Sequence, residues 1–269
     1  KAFALRSRYL VELKRVPEAR LDLNRALDAL PTDGPPIERH RLWLQHARLL
    51  MHERQYDDVH HWLDQLTDES SLAEGTHTQI LSLRAEVGLR LGHLTEASEY
   101  FEAAWRKGNQ GVSAQFRMRI RSFQGLLCCI KGDLAGGRAI IQEMYLQRKR
   151  LGKQTHIAVD LDNLGQIDLL LGEPEAAAIK LQESVAIWHR TGSDIQRRNQ
   201  LCALATAHQL AGEHEAAERA INAAVSGLEN DPESLLYKNA LCLKAAMCAE
   251  WGREEEAIQL WDQSSEVLL

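Results

Sequence analysis

Cysteine is scarce in this 269-residue sequence, with five in all, an odd number set in no spaced framework. Cys128 and Cys129 are adjacent, and Cys202 and Cys242 lie on helices that packing holds 8–10 Å apart, so the thiols read as small packing residues. A disulfide scaffold is thereby excluded, and a reducing, cytoplasmic compartment is expected. No apolar run approaches the length of a membrane span. Sustained period-two alternation is missing too, which argues against sheet. An excess of positive charge is absent: the formal charge is −6, so nucleic acid is not expected to be the main partner. No phosphate-binding loop, nucleophile elbow or dinucleotide fingerprint occurs, so neither catalysis nor a bound cofactor is expected. The early histidines His40, His46 and His52 are spaced by six rather than four, and His214-Glu-Ala-Ala-Glu218 lacks the second histidine of a zinc motif. No metal site is expected.

What the sequence does have is a period. Gly92, Gly132, Gly172, Gly212 and Gly252 follow one another at intervals of 40 residues. Glycine is only 17 of 269 residues, so four further coincidences have odds on the order of one in 10⁵ and the spacing is a repeat. Each glycine sits between an apolar stretch of helical period and an Ala-rich stretch of the same kind. A left-handed residue ends the first helix of each unit, a conformation glycine adopts without steric cost. The unit is helix, tight turn, helix. Seven such pairs are expected, over about 1–34, 35–74, 75–111, 112–152, 153–192, 193–230 and 231–269. In the first pair Val16-Pro-Glu-Ala19 replaces the glycine turn, and in the second Arg54-Gln55 does.

Small residues recur five after the turn position: Ala19, Val59, Ala97, Gly137, Ala177, Ala217 and Ala257. Four further on stands a large apolar residue: Leu23, Leu63, Phe101, Ile141, Leu181, Ile221 or Trp261. The first helix has its own small position, seven before the turn: Ser7, Ala47, Ala85, Gly125, Gly165, Ala205 and Ala245. Small residues facing each other let two helix axes approach, and the large residue fills the gap beside them.

This grammar resembles the tetratricopeptide repeat, most closely at Gly92–Ala104 and Val16–Pro31. The resemblance covers essentially the whole chain and implies an all-α, right-handed solenoid of about fourteen antiparallel helices in one continuous domain. Two features depart from the family: a period of 40 rather than 34, and an early first-helix aromatic present only as Phe3 and Trp43. Forty-residue arrays are similar to the sensor segments of large bacterial regulators, such as maltose-activator-type signal-transducing ATPases and peptide-sensing Rap-type regulators. The sequence ends on Trp261, Val267, Leu268 and Leu269 without a capping helix, so the natural protein is expected to continue.

In such a solenoid the first helices line the concave side. Residues about 90° round from the packing position give the candidate binding set: Arg8, Arg41, Arg48, Glu86, Arg119, Asp162, Asn163, Gln166, Asn199 and Asn239. Arginine dominates the early repeats and amides the later ones, which suits a protein or peptide segment with acidic groups toward the N-terminal half. The family's carboxylate clamp is not carried over, because only Asn163 occupies a matching place. Arg117 and Arg121 share another face of the fourth pair, readable as a phosphate or acidic-peptide site or as a solvated helix end. Two functions follow as expectations: a peptide- or protein-binding scaffold module within a regulatory protein, or a segment that senses a small molecule or short peptide. Self-association through the last helix, with Trp261, is a third.

Overall fold

The computed structural model describes residues 2–12, 15–31, 36–64, 66, 75–108, 111–226, 228 and 234–265. They form fourteen α-helices, and no strand occurs among them. Contacts divide the chain into two compact units, residues 1–131 and 132–269, within the turn of the fourth hairpin. The first unit comprises α1 (Ala2–Glu12), α2 (Val16–Asp28), α3 (Pro36–His52), α4 (Tyr56–Asp64), α5 (Thr76–Leu91), α6 (Leu94–Lys107) and α7 (Ala114–Ile130). The second comprises α8 (Leu134–Arg150), α9 (Gln154–Leu170), α10 (Pro174–Arg190), α11 (Asp194–Leu210), α12 (His214–Val225), α13 (Leu235–Glu250) and α14 (Glu254–Ser265).

Inside each unit the predicted packing grammar is realised. Ala19, Val59, Ala97, Ala177 and Ala217 are completely buried, as are the large residues Leu23, Leu63, Phe101, Ile141, Leu181 and Ile221. Each of these fillers is worth about 1.5–3 kcal/mol of transfer free energy. The first-helix residues Ser7, Ala47, Ala85, Ala205 and Ala245 are buried as well. Gly165 shows why that position is small: a Cβ there would meet Leu181 Cγ at 2.7 Å. Trp261 departs from the series, remaining 41% exposed on α14, together with Ile258.

The turns follow one geometry. At Gly172, φ is +75°, its N–H bonds to Leu169 O at 3.1 Å, and the N–H of Glu173 bonds to Asp168 O at 2.8 Å. That pair of bonds satisfies the last carbonyls of α9. The same two bonds recur at Gly92, Gly152, Gly192, Gly212 and Gly252. A side chain at Gly172 would meet nothing within 4 Å, so glycine is there for its backbone alone. Gly132, Gly152, Gly172, Gly192 and Gly212 are all left-handed and stand twenty residues apart, so the true step of this stretch is one helix rather than one hairpin. The helices α7 to α11 are accordingly all 17 residues long.

Of the two turns expected to lack glycine, the first is displaced and the second stands where expected. Val16–Ala19, expected to make the turn with Pro17 opening the second helix, is already the first turn of α2, which begins at Val16. The link that precedes it, at 13–14, lies outside the described residues. In the second hairpin Arg54 itself takes the left-handed conformation, with φ +59°, where other hairpins have glycine.

Candidate functional site: the first-helix faces

Because an α-helix shows one face to its partner and another to the next hairpin, successive first helices bring corresponding residues side by side. In the first unit this produces a polar row across α3, α5 and α7. Arg48 Nη2 donates to Gln79 Oε1 at 2.7 Å, joining α3 to α5. Arg119 Nη2 donates to Glu86 Oε2 at 2.6 Å, joining α5 to α7. Ser82 Oγ lies 3.5 Å from Glu86 Oε1. Glu86 is only 8% exposed. Burial pushes its carboxyl above the ordinary range, while Arg119, Arg48 and Ser82 pull it back. The Arg119 guanidinium lies 5.5 Å from the Phe123 ring centroid, and Phe123 stacks on Phe101 at 5.5 Å and 11°. Arg119 is thus held by both a carboxylate and a ring, yet the residue stays exposed.

Of the predicted set, the structure brings Arg48, Glu86 and Arg119 into this row. Arg41 is exposed on α3. The side chain of Arg8, on α1, lies outside the described residues. In the second unit Asn163 is half-buried on α9, while Gln166, Asn199 and Asn239 are exposed on α9, α11 and α13. Asp162 is half-buried; burial raises its carboxyl pKa, and hydrogen bonds with Gln200 and Gln166 oppose the rise. The first-unit row therefore carries an arginine surplus, whereas the second presents mostly amides.

Several groups were not singled out from the sequence. Asp160 and Asp168 interrupt the apolar pattern of α9 at core-facing positions, which is the signal that would have found them. Asp160 pairs with the buried Arg148 of α8, and burial nevertheless pushes its carboxyl up to about 7. Asp168 is bridged by Arg138 Nη2 at 2.9 Å and by Lys180, tying α8, α9 and α10 together. In the first unit, His46 stacks on Trp62 at 4.3 Å, and Trp43 lies 6.4 Å from Trp62. These two tryptophans, with Asn24, Leu27, Asp28, Leu30 and Arg39, line an open cleft of about 570 Å³. Burial lowers the His46 pKa, as does the positive charge of Arg20.

The five cysteines are free thiols. Burial raises the Cys202 thiol to about 11, and the Cys242 thiol donates to Ser264 Oγ at 3.4 Å. Among the described residues no three His, Cys, Asp or Glu side chains converge as metal ligands would. No described helix is long and apolar enough to cross a membrane.

The sequence matches no family model and no curated protein. Solved structures match the fold throughout. The apo form of RapI superposes with a TM-score of 0.74 at 9% identity, over 99% of this chain and 75% of that one. The apo quorum sensor NprR from B. thuringiensis gives 0.72 at 13%, again over 99% and 75%. A signal-transduction ATPase with numerous domains and a tetratricopeptide repeat sensor, from Pyrococcus horikoshii, gives 0.76 at 10%, over 99% of this chain and 42% of that one. The fold is that of a tetratricopeptide-like helical solenoid.

Proposed function

We propose that the chain is a peptide- or protein-binding scaffold segment of a regulatory protein, and that the first-helix row of residues 1–131 is where an acidic segment docks. The observation that carries this reading is the row itself. Arg48 and Arg119 are anchored through Gln79 and Glu86, and Arg41 adds a further exposed cation. Two hydrogen bonds and a ring contact restrict side chains that would otherwise lose much rotamer freedom on binding. Guanidinium forks match carboxylates. Within residues 132–269, the amides Asn163, Gln166, Asn199 and Asn239 suit pairing with the backbone of an extended ligand.

The test is binding of a fluorescent acidic peptide to the wild type and to Arg48→Glu with Arg119→Glu. A loss of at least tenfold is expected, steeper at low ionic strength. Equal affinity would discard the row. A second reading, that a small molecule or short peptide in this face acts as an effector, draws support from the resemblance in fold to a quorum sensor and to a repeat sensor.

A further inference from the structure

On another side of α7 a second basic constellation has no counterpart in the row described above. The guanidinium of Arg117 lies 5.0 Å from the centroid of the Trp105 ring, and that of Arg121 lies 5.7 Å from it. One turn apart on the helix, the two stand on one face with like charges adjacent. Arg117 falls in the first turn of α7, where the helix dipole disfavours a cation, and that turn contains no acidic residue to offset it. Elsewhere several arginines meet carboxylates: Arg119 meets Glu86, Arg138 meets Asp168 and Glu173, and Arg148 meets Asp160. Among the described residues neither Arg117 nor Arg121 meets a carboxylate. Arg121 Nη1 reaches Gln124 Oε1 at 3.3 Å. Arg117 Nε is shielded from water and finds no acceptor.

Cation–π contact with the indole therefore holds the pair, and ion pairing does not. Such contact uses the charge of the guanidinium and consumes none of its N–H donors, so those not already bonded can donate to a ligand. Two adjacent unneutralised charges, against an adverse dipole, are unfavourable in the free protein and favourable toward an anion. A carboxylate would balance one of them. A phosphate carries between −1.5 and −2 near pH 7 and offers three acceptor oxygens, so it matches both charge and donor count.

We propose that Trp105, Arg117 and Arg121 form a binding site for a phosphate dianion, either free or carried on a side chain of a partner peptide. The site is independent of the Arg48–Arg119 row, because Arg119 points to a different face of α7.

The experiment follows the indole N–H signal of Trp105 by two-dimensional NMR, assigned with Trp105→Phe. Inorganic phosphate is titrated at constant ionic strength into the full chain, and then a phosphoserine peptide with its serine and glutamate counterparts. Saturable shifts are expected with inorganic phosphate. Arg117→Gln with Arg121→Gln should weaken binding at least tenfold, Arg117→Lys with Arg121→Lys should recover part of that loss, and Arg90→Gln on α5 should change nothing. Tighter binding of the phosphoserine peptide than of inorganic phosphate supports the proposal with a side chain as the source; equal affinity supports it with free phosphate as the source. Equal shifts with chloride or acetate, no saturation, or undiminished binding in a folded double-glutamine variant would overturn it. Arg48→Glu with Arg119→Glu, which tests the peptide row, should leave phosphate binding in place, so the two readings fail separately.

Discussion

The two units solve the same packing problem with different punctuation. From Gly132 to Gly212 the second unit steps every twenty residues, with 17-residue helices and left-handed glycines at each turn. Within it, charge is turned inward: Asp160 and Asp168 are completely buried and paired across α8, α9 and α10. The first unit has shorter and less regular helices, from 9 to 17 residues, and one turn in which arginine takes the glycine conformation. It too buries a carboxylate, Asp22 on α2, bridged by Arg6 and Arg25, and it adds the exposed first-helix arginines Arg48 and Arg119. Regular spacing and a charge network across three helices make a framework, while the less regular unit adds the arginine row for which docking is proposed.

The largest effect is expected from Arg148→Met, which leaves Asp160 buried without its cation. Breaking a buried pair typically costs about 3–5 kcal/mol, and urea unfolding at pH 8 should show a loss of that order. At pH 5 the loss should be smaller, because Asp160, whose carboxyl burial raises to about 7, is then neutral. The sign in the wild type follows from the same shift. The folded chain holds this proton more tightly than the unfolded one, so the contribution is fully present below about pH 4 and is lost as pH rises through about 7. Asp160→Asn should remove that slope, which is at most about 4 kcal/mol. A flat difference between wild type and variant over this range would contradict the assignment.

Next in size is Gly165→Val. The added carbons collide with Leu181, and overpacking of this kind typically costs about 1–3 kcal/mol. Thermal unfolding should show it, whereas an unchanged midpoint would mean that α9 and α10 are not in contact there.

Smallest, and most pointed for the comparison, are two turn substitutions of opposite sign. Gly172→Ala should cost about 1 kcal/mol, because alanine resists the left-handed conformation. Arg54→Gly should gain up to about 1 kcal/mol by relieving the same conformation in the first unit. If both lose stability, Arg54 contributes something beyond its backbone angle.

Much of this was legible in the residues. The glycine interval announced the hairpins, and the small–large–small pattern identified the buried residues, because both depend on local backbone angles and helical period alone. The twenty-residue half-step was visible in Gly152 and Gly192 but was masked by the stronger forty-residue comparison. The site was legible only by face: period placed Arg48 and Arg119 beside their neighbours, but could not show that Glu86, chosen as a ligand contact, is occupied by Arg119. Nor does spacing disclose that Lys180 and Arg138 converge on Asp168, since that needs three helices in register.

Backbone amide NMR of the full chain during titration with an acidic peptide tests the central claim most directly. Perturbations that, within residues 1–131, are confined to α3, α5 and α7 are the predicted result. Shifts centred on the second helices α2, α4 and α6, or on α8, α10 and α12, would contradict it.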